Sequence, residues 1–301
     1  MAVSNSDDRR HGVILAKNDL AKPFGVKTGE SVLEALKKCP GLTLVKPHRA
    51  QYGEYSRKLN ALYQRYTDRV EAASIDESFL DVTDCQALFG SGEEIANALR
   101  KSAREELGLT ISVGVSFNKT FAKLGSDYKK PDATTVLSRE NFRQILYPLP
   151  AGAMLGVGGA AEASLNRIGI HTMGDIAAVP RETLVACLGK FGGAVWDGVM
   201  GLDRERVKRV GEYEPPKSIG NGETFPRDIR GREEIEVALM ALTDSVAQRL
   251  RAHGMVAKTV TVQIKNPSLK VISRQAALAH PTSATLALYR AARDLLLKTW
   301  H

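Results

Sequence analysis

No run of about 18 apolar residues occurs anywhere in the chain, so no helix that crosses a membrane is expected and no membrane partner is implied. The opening stretch Ser4-Asn5-Ser6-Asp7-Asp8-Arg9-Arg10 is polar and lacks the apolar segment of a secretory signal. Cysteine is scarce. Cys39, Cys85 and Cys187 are odd in number and far apart, and no CxxC pair exists. Neither a zinc site nor a disulfide framework is expected from such usage, and a cytoplasmic protein fits it best. Acidic residues nearly vanish from the last quarter: from Arg249 onward the chain carries nine Lys and Arg and a single acid, Asp294.

That last scarcity carries information. The formal net charge of the 301 residues is +8, and the segment from Arg249 accounts for all of it. A basic terminal quarter on a neutral body suits a polyanion such as nucleic acid, and equally a solubilising basic surface. The length allows two to four domains with their own cores.

Hydrophobic periodicity divides the chain. Residues 11–16 read as a short strand and 28–38 as a helix capped by Thr28, with Gly41 beyond its end. Residues 51–67 carry Tyr52, Tyr55, Leu59, Leu62, Tyr63 and Tyr66 at helical spacing, a stripe read as core in preference to a cofactor box. Residues 70–83 switch to strand behaviour around Asp76-Glu77, as in a hairpin. A helix at 92–107 ends at Gly108, a strand follows at 110–116, a helix at 118–128, a turn at Lys129-Lys130-Pro131-Asp132 and a strand at 133–137. This is the ferredoxin-like alternation, with no suitable first strand before the acidic hairpin. Residues 141–210 are helical and glycine-rich, and Tyr213-Glu214-Pro215-Pro216-Lys217 reads as a linker. Then come a strand (218–225), a helix (232–252), strands at 257–264 and 270–278, and a helix at 282–300, a β-α-β-β-α order.

Three segments carry chemistry. Adjacent carboxylates at a hairpin, Asp76 and Glu77, suit Mg2+, which prefers oxygen donors and keeps several waters; a solvated Asp-Glu turn has the same sequence. In Asn118–Asp132, Lys119, Lys123 and Lys130 suit a phosphate, or alternatively the surface of a basic amphipathic helix. Leu155-Gly156-Val157-Gly158, a helix, and Ile168-Gly169-Ile170 form a helix-hairpin-helix pattern, whose glycines and helix N-terminal amides approach a DNA phosphate and position the duplex without reading its sequence.

Taken together these segments resemble the Y-family DNA polymerases, the DNA polymerase IV (DinB-like, UmuC-type) branch above all. Ser74-Ile75-Asp76-Glu77-Ser78-Phe79-Leu80-Asp81-Val82-Thr83 is similar to the family's Ser-(Ile/Leu)-Asp-Glu-x-(Phe/Tyr)-Leu-Asp-(Val/Leu)-Thr motif. Asn118 to Pro131 is similar to its Asn-Lys-x-x-Ala-Lys-x-(Ala/Gly)-Ser-Asp-x-x-Lys-Pro motif. The resemblance runs over nearly the whole chain in the family's order. It implies an α+β, right-hand polymerase: small fingers at 1–50, a ferredoxin-like palm at 51–140, a helix-hairpin-helix thumb at 141–212, a linker at 213–217 and a β-α-β-β-α little finger at 218–301. It implies template-directed, low-fidelity synthesis across lesions, in which two Mg2+ ions serve nucleotidyl transfer from a dNTP to a primer 3′-hydroxyl. Asp76 and Glu77 match the metal-binding and catalytic carboxylates. Lys130 matches the triphosphate-binding lysine before the proline, and Lys22 stands where the family carries a triphosphate-binding arginine. The DNA grip would come from Gly156, Val157 and Gly158 and from Arg249, Arg251, Lys265, Lys270 and Arg274. Primer-template DNA and dNTPs are the implied partners, with a sliding clamp reached through a C-terminal tail, and a monomer is expected.

The chain departs from the family at its ends and in the fingers. The family's first palm strand, with its Asp-x-Asp motif and third metal ligand, is not among these residues, nor are its last little-finger strand and clamp-binding tail. The expectation is a chain shortened at both ends, with Asp81 or a partner chain as candidates for the third ligand's place. Asp19 replaces a tyrosine and Ala16 a threonine that help bind triphosphate; Asp19 either repels phosphate or bridges to Lys22. Two other readings remain at this point: a DNA-binding polymerase relative without catalysis, which serves as a recruitment module, and a nucleotide cyclase, against which the helix-hairpin-helix and basic terminus argue.

Overall fold

The computed structural model describes residues 1–5 and 12–298. One end of the strand expected at 11–16 and the last residues of the helix expected at 282–300 lie outside them. The chain forms two compact units, Met1–Lys46 with Tyr213–His301, and Pro47–Glu212.

The first unit opens with β1 (Ala2–Ser4), β2 (Ile14–Lys17), helix α1 (Val32–Lys38) and β3 (Leu44–Val45). The sheet order is β2-β1-β3, β1 antiparallel to β2 and parallel to β3. Ala2, Ile14, Val32 and Ala35 bury its inner face. Sequence pattern does not reveal β1: three small residues beside a polar run lack a period. Helix α1 starts at Ser31, not at Thr28. Ser31 Oγ accepts from the Glu34 N–H and Glu34 accepts from the Ser31 N–H, a capping box that satisfies two end amides reciprocally.

The second unit holds the acidic hairpin. Helix α2 (Arg49–Tyr63) buries Leu59 and Leu62, whereas Tyr52 and Tyr55 are exposed, so only the C-terminal half of the expected aromatic stripe is core. Strands β4 (Val70–Ala72) and β5 (Ser78–Leu80) pair antiparallel, Glu71 opposite Phe79. After α3 (Gln86–Phe89), α4 (Gly92–Leu107) runs from the Ser91 cap to Gly108, whose φ of +65° closes it. Strand β6 (Val113–Ser116), helix α5 (Lys119–Tyr128) and strand β7 (Thr134–Leu137) form a βαβ unit with β6 and β7 parallel. The expected palm strands therefore stand, among the described residues, as two separate two-stranded ladders. Helix α5 joins them. It lies so close to β6 at Gly114 that a Cβ there would meet the Ala122 carbonyl oxygen at 1.9 Å and the Ser126 nitrogen at 2.5 Å. Only glycine fits that contact.

Helices α6 (Phe142–Leu146), α7 (Gly159–Arg167), α8 (Met173–Ala178), α9 (Arg181–Leu188) and α10 (Lys190–Val199) follow. Their core is continuous with that of α5 and β7: Phe121, Leu124 and Leu137 pack in one cluster with Phe142, Leu165, Met173 and Leu184. Burying each such side chain contributes about 1.5–3 kcal/mol, so one core crosses position 140, while Leu62, Ile95 and Leu99 form a separate cluster between α2 and α4. Residues 203–210 then return to the hairpin. Thr120 Oγ1 donates to Asp203 at 2.9 Å, the Lys208 N–H to Glu71 at 3.0 Å and the Val210 N–H to the Asp68 carbonyl at 2.9 Å.

The first unit resumes with α11 (Arg232–Ala252), β8 (Ala257–Lys265), β9 (Val271–Thr282) and α12 (Thr285–Leu297), the two strands antiparallel. Residues 218–225 form no strand. Ile219 packs with Ala247 and Leu250, Asn221 donates to Ser245, and Gly220 O accepts from Arg249, so this segment is tied to α11 and does not join the ladder.

Candidate active site

Asp76 and Glu77 sit in the turn between β4 and β5. The N–H groups of Ala73 and Ser74 both donate to the Glu77 carbonyl, at 2.9 and 3.1 Å, and close the turn. Ser74 Oγ donates to Asp76 Oδ1 at 2.7 Å and fixes that carboxylate at the exposed tip. Behind it, Ser78 Oγ donates to Asn60 at 2.8 Å and ties β5 to α2.

Strand alternation puts Glu71, opposite Phe79, on the ladder face shared by Glu77. Helix α5 presents Lys119, Lys123 and Asp127 to this region at intervals of four residues, one stripe of the helix. Lys119 is buried, 8% exposed, with its Nζ 2.6 Å from Glu71 and 3.2 Å from Glu205 and above the Phe79 ring. It is therefore a structural cation and not one of the phosphate-facing lysines that the sequence suggested. Lys123 Nζ is 2.6 Å from Glu77 Oε1 and 2.8 Å from Asp127, and Lys130 Nζ is 2.6 Å from the other oxygen of Asp127. Burial would pull Lys123 down, but Asp127 and Glu77 outweigh it and hold the ammonium above its usual range. Burial would push Asp127 up, but Lys123 and Lys130 outweigh it and hold the carboxyl below its usual range. No sequence signal reveals that Lys123 reaches Glu77; it depends on the Gly114 contact that seats α5.

Asp81 does not join the pair. Arg69 donates to it at 2.8 Å and Thr83 Oγ1 at 2.6 Å, and the carboxyl stays low because Thr83 and Arg69 outweigh its burial. Among the described residues no group of three His, Cys, Asp or Glu is placed to hold a metal ion. The Asp76–Glu77 pair nevertheless fits a hard divalent cation: it offers carboxylate oxygens, and a cation, the Lys123 ammonium, already sits on Glu77. One or two carboxylates, waters and substrate phosphates complete a typical Mg2+ shell.

In the first unit, Lys22 lies in a 3-10 turn and pairs with Asp19 at 2.6 Å, so the bridge alternative holds. The hairpin after α6 places Gly156 at a φ of +80°. Val157 points into the core and its N–H donates to Met154, while the Gly158 carbonyl accepts the first bond of α7. Helix geometry leaves the N–H groups of Gly159, Ala160 and Ala161 facing out of the α7 end. Arg249 and Arg251 are engaged with backbone, at Gly220 O (2.7 Å) and Ser283 O (2.9 Å). Lys265 pairs in register with Val271 and Arg274 with Val262, positions of opposite parity, so they stand on opposite faces of the ladder. Lys270 lies in the turn between the strands.

The model of the impB/mucB/samB family matches residues 1–127, and that of the same family's C-terminal domain matches residues 216–301. DNA polymerase IV of Acetivibrio thermocellus is 44% identical over 301 residues, all of this chain and 75% of the relative. DNA polymerase IV 2 of Bacillus subtilis is 36% identical over 99% of this chain and 74% of the relative.

The chain belongs to the Y-family DNA polymerases, in the DinB-like branch.

A Y-family DNA polymerase chimera of Dbh and Dpo4 superposes with a TM-score of 0.85 at 25% identity, covering 100% of this chain and 88% of that one. DinB from Sulfolobus solfataricus gives 0.63 at 25% identity over 99% and 85%. This is a DNA-directed DNA polymerase of the lesion-bypass class, and enzymes of this family depend on a divalent metal. No helix among the described residues is long and apolar enough to cross a membrane.

Proposed function

We propose that Asp76 and Glu77 are the metal-holding carboxylates of this lesion-bypass polymerase, and that Mg2+ is the ion they hold. The observation that carries the assignment is the hairpin itself: two consecutive carboxylates fixed by Ser74 and by the β4–β5 turn, in line with Lys123 and Lys130. The reaction joins the primer 3′-oxygen to the α-phosphorus of a dNTP and breaks the bond from that phosphorus to pyrophosphate. Bound Mg2+ supplies activation of the hydroxyl and neutralisation of the leaving phosphates. Glu77 and Asp76 supply oxygen ligands, and Ser74 keeps Asp76 oriented. Lys130, exposed and held by one carboxylate, is free to exchange that partner for triphosphate oxygen. Lys22, on its own unit, is the triphosphate-binding cation of the fingers in this reading, a point charge without the bidentate fork of an arginine.

The division into fingers, palm, thumb and little finger belongs to this reading. The outward amides of α7, with Gly156 and Gly158, hold a duplex phosphate. Lys265 and Lys270 add a sequence-independent grip at the β8–β9 turn, Arg274 adds a charge on the ladder face opposite Lys265, and Arg249 and Arg251 brace the elements that carry them. The enzyme works in the cytoplasm as a monomer on primer-template DNA, with a sliding clamp as partner. Asp76→Ala should abolish primer extension while DNA binding persists; extension at the unsubstituted rate would remove Asp76 from the site.

A further inference from the structure

Four charged groups form an unbroken chain of ion pairs from the acidic hairpin to Lys130. Glu77 Oε1 is 2.6 Å from Lys123 Nζ, Lys123 Nζ is 2.8 Å from Asp127 Oδ2, and Asp127 Oδ1 is 2.6 Å from Lys130 Nζ. The middle two members are one turn apart on α5, whose seat on β6 at Gly114 admits no side chain. Lys123 is only 19% exposed, whereas its two carboxylate partners are each about twice as open to solvent, at 42% and 43%.

That arrangement poses a problem which Asp127 solves. A divalent cation on Glu77 competes with the Lys123 ammonium for the same oxygen. An ammonium displaced within a largely buried setting is costly unless it keeps a counter-charge. Asp127 provides one without moving α5, because it already contacts Lys123. At the other end, triphosphate oxygens reaching Lys130 compete with Asp127 for that lysine. The two exchanges match in charge: Asp127 gives up Lys130 as it becomes the sole partner of Lys123.

We infer that Asp127 is a positioning residue of the polymerase reaction, which receives Lys123 when Glu77 takes a divalent cation and releases Lys130 to the incoming triphosphate. The inference rests on the assignment of Glu77 as a metal-holding carboxylate. It gives a bridging role to an acidic side chain that composition alone would leave as a surface charge.

The test measures binding, not turnover. Mn2+ binding to the chain on primer-template DNA is followed by electron paramagnetic resonance, and binding of inorganic tripolyphosphate by calorimetry. The proteins compared are the unsubstituted chain, Asp127→Asn, Lys123→Gln, the double variant and Glu77→Gln. Asp127→Asn should weaken Mn2+ binding about fivefold and tighten tripolyphosphate about threefold, the scale of a partly exposed charge-assisted contact. Lys123→Gln should tighten Mn2+, and in that background Asp127→Asn should no longer affect it. An equal effect of Asp127→Asn with and without Lys123 would mean a fixed negative charge near the metal and would overturn the inference. Mn2+ binding weakened by Glu77→Gln yet unchanged by Asp127→Asn would overturn the inference alone. Mn2+ binding unchanged by Glu77→Gln would remove the site assignment itself, and the inference with it.

Discussion

Removing Glu71 should cost the second unit far more than an ordinary surface substitution. Lys119 is 8% exposed and Glu71 17%, with Nζ and Oε2 2.6 Å apart. At an effective dielectric of about 20, two unit charges at that distance attract by about 6 kcal/mol. Desolvating both ions offsets most of this, so the intact pair adds little net stability. Glu71→Ala deletes the attraction but leaves the desolvated ammonium, which costs about 3–5 kcal/mol for a buried pair. Glu205, 3.2 Å from the same ammonium but 66% exposed, recovers part of it, so the expected loss is about 3 kcal/mol, the low end of that range. The variant also removes the acceptor of the Lys208 N–H and loosens the return of residues 203–210. Urea unfolding of Glu71→Ala and of the double variant Glu71→Leu/Lys119→Met measures this. The double variant should be more stable than Glu71→Ala, because it removes both charges of the pair, yet less stable than the unsubstituted chain, because it still lacks Glu71 as acceptor of the Lys208 N–H. A Glu71→Ala loss below about 1 kcal/mol, the range of an exposed pair, would refute the reasoning. Glu71 is held below the usual carboxylate range, Lys119 and Lys208 outweighing the burial that would raise it. A lowered native value means stability that is present above the unfolded pKa, about 4.3, and lost as pH falls through the lower native one. The gap between the unsubstituted chain and Glu71→Ala should therefore narrow only in acid.

Three other outcomes follow from the same geometry. Gly114→Ala should destabilise by about 1–3 kcal/mol or more by overpacking and slow nucleotide addition by shifting Lys123 from Glu77; denaturant midpoints and single-turnover rates should fall together. Lys130→Ala should raise the KM for dNTP by about tenfold, the scale of one charge-assisted interaction, and leave DNA affinity unchanged by fluorescence anisotropy. DNA affinity should fall with salt, and replacing Lys265 and Lys270 together by alanine should reduce the log-log salt slope by up to about 0.9 for each phosphate that these lysines neutralise.

Much of this architecture is legible in the chain. Helix α4 spans the expected 92–107 because Ser91 and Gly108 bracket an amphipathic run. Helix α11 spans the expected 232–252 on its own periodicity, with Gly231 before it and Gly254 after it. The cap of α1 is spelled out as Ser31-x-x-Glu34 but follows a threonine of similar propensity, which competes with it. Segment 218–225 has strand-like residues but no ladder partner, since Arg249 and Ser245 hold it to α11. At the site, the Asp76–Glu77 hairpin and Lys130 follow from motif and spacing. The pairings of Lys119 and Lys123 do not, because lysine reads as surface until the Gly114 contact brings α5 against the acidic face of β4–β5.

Single-nucleotide incorporation on a primer-template with saturating Mg2+ and dNTP, comparing the unsubstituted chain with Asp76→Asn and Glu77→Gln at equal DNA occupancy, tests the central assignment most directly. Removing a metal-holding carboxylate should lower kcat by about a thousandfold or more, a loss of about 4 kcal/mol of transition-state stabilisation. Incorporation by both variants within a few fold of the unsubstituted chain would contradict the assignment and leave the hairpin a solvated turn.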